Sequence, residues 1–158
     1  MEISASSSAK IEKVLLKFPE NQRQSAVISA LMIMQEENGG HLTTALMDAV
    51  ADYLHMPKIA VYEVASFYSM YETKPVGKYK ICLCTNISCM LCGAEGIEAY
   101  LKEKLGIDYG EVTRDGKFSL KQVECLAACG GAPMMQIGDK YYENLTRERV
   151  DQILAELE

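Results

Sequence analysis

Apolar residues change their spacing halfway along the chain. In the first half they recur three and four positions apart: Ile11, Val14, Leu15 and Phe18 share one side of a helix that Pro19 stops. An apolar-rich stretch from Ala26 to Gln35 predicts a second helix, halted by Gly39-Gly40, and Leu46, Val50, Tyr53 and Leu54 stripe a third over 42–54. Pro57 suits a helix first turn and opens a fourth through KIAVYEVASFYSMYE, ending near Glu72. From Tyr79 the period becomes two. Tyr79, Ile81 and Leu83 alternate with Lys80, Cys82 and Cys84, as in a strand. Ile97, Leu101 and Leu105 then mark a helix that Gly106 terminates. GKFSLKQVE predicts a second strand and MMQIGDKYYE a hairpin turning at Gly138-Asp139. Thr146 caps a last helix carrying Val150, Ile153, Leu154 and Leu157. The expected organisation is a helical bundle over 1–74, the connector TKPVGK, and a small α/β domain over 75–158 with helices packed on a sheet.

Composition narrows the function classes. The 158 residues carry a net charge of −6, split evenly between the halves, and no basic patch that would attract a phosphate backbone, so nucleic acid is not an expected partner. There is no G-x-G-x-x-G or Walker element, and nucleotide binding by this chain alone is not expected. MEISASSSAK lacks the apolar core of a secretory signal and the arginines of a transit peptide, and reads as a short floppy lead. No apolar run approaches the roughly 18–20 residues that span a bilayer, so any membrane connection is expected to come through partners. With no export signal, a reducing compartment is expected, where clustered cysteines bind metal more often than they form disulfides.

All six cysteines fall in two patches, KICLCTNISCMLCGAEG and VECLAACGGAPMM, each at the end of an expected strand. Residues 85–92 are expected to form a loop, as is Cys125–Cys129, so that free backbone N–H groups point at a ligand. Cys84 and Cys89 make a C-x4-C pair, and Cys125 and Cys129 a C-x3-C pair. Structural zinc usually takes tighter knuckles around one small ion. Wider pairs suit a [2Fe-2S] rhomb, whose two irons each take two thiolates. Spacing leaves a choice open, because Cys84, Cys89 and Cys92 also make C-x4-C-x2-C, the opening of the plant-type ferredoxin pattern. On that reading only one of Cys125 and Cys129 is needed. Cys82 and Cys92 otherwise read as small hydrophobes beside the site. His41 and His55 read as surface or capping residues, and VYEVASFYSMY as a packed helix partly facing a partner.

CTNISC followed by ECLAACGGAP, with VYEVASFYSMY upstream and YYENLT downstream, resembles the family of the 24-kDa [2Fe-2S] subunit of respiratory complex I, the bacterial NADH:quinone oxidoreductase. The resemblance covers nearly everything after Ile11. It implies a helical bundle followed by a thioredoxin-like [2Fe-2S] ferredoxin domain. It also implies one cluster on Cys84, Cys89, Cys125 and Cys129, with Thr85 and the amides around Asn86–Ser88 and Leu126–Ala128 as candidates to hydrogen-bond the sulfurs. FMN and NADH would be held by a flavin- and NADH-binding partner subunit, the assembly lying peripherally on the cytoplasmic face of the cell membrane. The equivalent subunit of an NAD-linked hydrogenase or formate dehydrogenase shares these motifs, and a zinc-stabilised docking module is the alternative from another class. Two positions depart from the family pattern. Ala127 stands where glycine is common, so Gly130-Gly131 are expected to supply the loop's freedom. Cys92 stands where arginine is common.

Overall fold

The structure, a computed structural model, describes residues 3–157. The chain divides into two compact units, one running to Pro75 and one starting at Val76.

The first unit is helical: α1 (Ala5–Leu15), a 3₁₀ segment (Glu20–Ala26), α2 (Val27–Glu37), α3 (Thr44–Leu54) and α4 (Lys58–Phe67). Ile11, Leu31, Leu42, Leu54, Val50 and Val61 form its core. The serine-rich start is part of the helix and not a floppy lead. The Ser4 hydroxyl accepts from the Ser7 N–H as the N-cap of α1. Ser4 and Ser7 also donate to the Glu37 carboxylate at the end of α2, the Ser4 bond being 2.6 Å. Met1 and Glu2, the first residues of the expected lead, lie outside the described residues. Helix α4 stops at Phe67, short of the expected Glu72. The buried Gln35 side chain claims the backbone beyond it, donating to the Met70 carbonyl (3.1 Å) and accepting from the Glu72 N–H (2.7 Å).

The second unit runs β1 (Tyr79–Cys84), α5 (Ile87–Leu91), α6 (Ala94–Leu105), β2 (Phe118–Val123), β3 (Met135–Ile137), β4 (Lys140–Tyr142) and α7 (Arg147–Glu156). The sheet order is β2-β1-β3-β4, with β1 and β2 parallel and the other pairs antiparallel. Parallel neighbours need a crossover, and α6 supplies it. Ile81 faces Leu120 on one side and Ile137 on the other, so the apolar positions of three strands line up on one face. Ile97 and Leu101 of α6 and Val150, Ile153 and Leu154 of α7 pack on that face. The hairpin turns where expected, with Gly138 at φ 58°. Thr146 caps α7, its hydroxyl accepting from the Arg149 N–H at 3.1 Å.

Candidate metal centre

Cys84 is the last residue of β1, and alternation turns it away from the face that carries Ile81 and Leu83. The strand end is tied on both sides: the Cys84 N–H donates to the Met134 carbonyl (3.2 Å) and the Thr85 N–H to the Val123 carbonyl (3.1 Å). The segment from 85 to 92 is not the expected loop, because it turns at once into α5. Asn86 caps that helix, its side-chain oxygen accepting from the Ile87 N–H at 2.7 Å. One turn of helix carries Cys89 inward, where it is 2 % exposed beside Cys84 at 3 %. Ala94 and Met134 complete this small apolar cluster, with Val123, Leu126, Ala128 and Ala132 packed around it. The parallel strand β2 delivers the other two thiols. Cys125 follows its end after one residue, and Cys129 opens a 3₁₀ turn through Gly131; both are exposed.

The fold thus brings the four thiols of the C-x4-C and C-x3-C pairs to one end of the sheet. Cys89 and Cys125 are near enough for their thiols to act on that of Cys84, and Cys129 is near enough to act on Cys89 through its charge. Burial pushes the Cys84 thiol up, but the N–H groups of Asn86 and Leu126 and the thiols of Cys89 and Cys125 outweigh it and hold it below the ordinary value. Burial, reinforced by Cys84 alongside, pushes Cys89 up to about 11. The Cys84 Sγ lies 3.9 Å from the Glu124 carbonyl, and the Ala127 N–H donates to the Cys125 Sγ at 3.3 Å. Of the remaining cysteines, Cys92 is exposed at the end of α5 and Cys82 is half-buried on β1.

Two expectations about the loops need correcting. Thr85 does not serve the sulfurs: its hydroxyl donates to the Val123 carbonyl (3.4 Å) and accepts from the Gln122 side chain (3.0 Å), bracing β1 against β2. Gly130 and Gly131 do not supply the left-handed residue. Ala127 takes that conformation itself, at φ 58°. Two further residues at the site are not singled out by sequence reasoning: Met134, which backs the buried thiols, and Glu143, which lies within the YYENLT motif and whose side chain lies against Gly131. Met134 sits in an apolar run where nothing singles it out.

Soft sulfurs in two pairs, with backbone amides beside them, form a donor set that could hold a two-iron cluster. No lysine or arginine lies between Lys80 and Lys102 or between Lys121 and Lys140, so neither cysteine patch carries its own cationic side chain. Among the described residues, no three His, Cys, Asp or Glu side chains are grouped so as to hold a single metal ion.

The family model described as thioredoxin-like [2Fe-2S] ferredoxin matches residues 11–158. The E 2 subunit of the NADH-quinone oxidoreductase of Rhizobium meliloti is 46 % identical over 92 % of this chain and 84 % of its own length. The E subunit of the Rickettsia bellii NADH-quinone oxidoreductase is 46 % identical, covering 92 % of this chain and 87 % of that protein. Among solved structures, an NAD+-reducing [NiFe]-hydrogenase in the air-oxidized state superposes with a TM-score of 0.73 at 20 % identity, over 89 % of this chain. The matched fold makes up only 24 % of that hydrogenase chain, and at this identity the likeness is one of fold. Fold, paired thiols and relatives agree: the chain belongs to the thioredoxin-like [2Fe-2S] ferredoxin family, as expected from its motifs.

Proposed function

We propose that this chain is an electron-transfer subunit of an NADH-quinone oxidoreductase, holding one [2Fe-2S] cluster on Cys84, Cys89, Cys125 and Cys129. The observation that carries the reading is the gathering of two thiol pairs at one end of the sheet, with Asn86, Leu126 and Ala127 amides beside the sulfurs. When bound, the cluster supplies one-electron exchange and no hydride chemistry. The chain's own residues fix the thiols, aim N–H dipoles at them and screen the inner pair from water with Ala94 and Met134. NADH gives up two electrons at once, so a partner that binds NADH and splits the pair is needed. We assign that role to an FMN-containing, NADH-binding subunit that forms a heterodimer with this chain inside a larger assembly. No described helix is long and apolar enough to cross a membrane. Attachment to the inner face of the cell membrane would then come through the assembly.

The names of the relatives at 46 % identity favour the quinone-linked complex over a hydrogenase, to which the chain is alike in fold at 20 % identity. Anaerobically purified protein should be red-brown, bleach with dithionite and contain about two irons and two acid-labile sulfides per chain. Stoichiometric zinc without sulfide would overturn the reading. Serine at any of the four named cysteines should abolish or grossly alter the visible and EPR spectra, and serine at Cys82 or Cys92 should leave them in place. Loss of the cluster in Cys92→Ser with retention in Cys129→Ser would return the assignment to the plant-type pattern.

A further inference from the structure

Gly131 closes the 3₁₀ turn that begins at Cys129 and is itself buried. A methyl group there would lie 2.5 Å from the carboxyl carbon and from one carboxylate oxygen of Glu143, and 2.6 Å from its Cβ. The space a side chain would fill is therefore taken by the whole length of Glu143. The backbone on its C-terminal side is tied to the loop, while Glu143 itself is exposed. The Asn144 N–H donates to the Gly131 carbonyl at 2.7 Å and the Leu145 N–H to the Pro133 carbonyl at 2.9 Å, so residues 143–145 clasp the loop that presents Cys129. Asn144 takes a left-handed φ of 50° to make this approach. Among the described residues no hydrogen bond or ion pair requires a carboxylate at residue 143, and no lysine or arginine stands within the Cys125–Gly131 loop to answer its charge.

Resting on the function proposed above, we infer that Glu143 tunes the redox balance of the site by placing a negative charge beside the loop that carries Cys129. A one-electron centre held by four thiolates gains negative charge on reduction, and a neighbouring carboxylate opposes that gain. One 3₁₀ turn separates Gly131 from Cys129, which puts the carboxylate roughly 10 Å or less from the Cys129 sulfur. At that distance, with an effective dielectric constant of about 50, one charge alters the ratio of reduced to oxidised protein about threefold.

The test is a potentiometric titration of the cluster-containing protein with dithionite and mediator dyes at low ionic strength, read by EPR, comparing wild type, Glu143→Gln, Glu143→Asp and Glu143→Lys. Glutamine keeps the shape and removes the charge, so Glu143→Gln should raise the reduced-to-oxidised ratio at a fixed poise about threefold, a shift of about 30 mV for one electron. Lysine should raise it further, aspartate should stay near wild type, and added salt should shrink the differences. A packing role alone would leave Glu143→Gln unchanged and perturb lysine and aspartate without regard to charge. Equal potentials for wild type and Glu143→Gln, or an order that does not follow charge, would overturn the inference. Absence of a cluster EPR signal in the wild type would instead overturn the proposed function, so the two failures are distinguishable.

Discussion

Ala127 sits at φ 58° between two cysteines, where the methyl of an L-residue crowds the following carbonyl oxygen. The conformation is useful because it turns the Ala127 N–H onto the Cys125 sulfur. Glycine would adopt it without the clash. Ala127→Gly should therefore raise stability by about 1 kcal/mol, read as a higher urea midpoint at unchanged slope, with the visible spectrum preserved. A lower midpoint would show that the strain is relieved elsewhere in the loop. At this scale the sequence is informative about identity and poor about conformation. The thiols that the structure brings together at the end of the sheet lie in the two patches where the sequence concentrates every cysteine, although spacing alone leaves open which four would serve. Nothing in the string ECLAAC says which residue turns left-handed; that depends on where β2 ends and where Met134 stands. Thr85 misleads for a similar reason. Its hydroxyl is close to sulfur along the chain, yet the end of the neighbouring strand is a nearer partner.

Long, periodic elements are legible and short ones are not. Helices α2, α3 and α7, both long strands and the hairpin follow from apolar spacing with turn residues at their ends. Helix α5 has five residues, too few for a 3.6-residue period to show, and its cap is the only local signal. The start of α1 depends on a hydrogen bond from Ser4 to Glu37, a partner 33 residues away that no local pattern reveals. Gly77 belongs to this scale as well. It precedes β1, and a methyl group there would run into the Phe118 carbonyl carbon and lie 2.7 Å from the Ser119 nitrogen, so the entry to β1 passes directly against β2. Backbone cannot yield as a flexible side chain can. Gly77→Ala should cost at least about 2 kcal/mol by forcing β1 and the edge strand β2 apart, seen as a lowered thermal midpoint. Removing the cap of α7 is a milder change: Thr146→Ala should cost about 1 kcal/mol. A loss as large as that of Gly77→Ala would mean that Thr146 does more than accept from Arg149.

Over the whole chain, surface charge gives stability a pH dependence whose sign can be worked out. Hydrogen bonds from Tyr62 and Lys58 hold the Asp48 carboxyl below its ordinary range, Lys102 does so for Asp108, and Lys104 with Tyr100 for Asp151. A depressed carboxyl contributes stability above its unfolded value and loses it as the folded form takes up its proton. Thermal midpoints followed by far-UV circular dichroism should thus be level near neutrality and fall as pH drops below about 4. A midpoint that rises on acidification would contradict these assignments.

The contrast between an inner thiol pair and an outer one gives decay of the centre a direction. In the centre proposed above, oxidants, chelators and alkylating reagents would meet Cys125 and Cys129 first, since these are exposed while Cys84 and Cys89 are 3 % and 2 % exposed. Once the metal is stripped, brief treatment with iodoacetamide should label Cys125, Cys129 and the exposed Cys92 well before Cys84 and Cys89, a sequence that peptide mass mapping would record. The same order run backwards describes repair. A donor of iron and sulfide would have to reach past the outer pair to load the inner thiols, so the loop between Cys125 and Cys129 would be the last part of the centre to close.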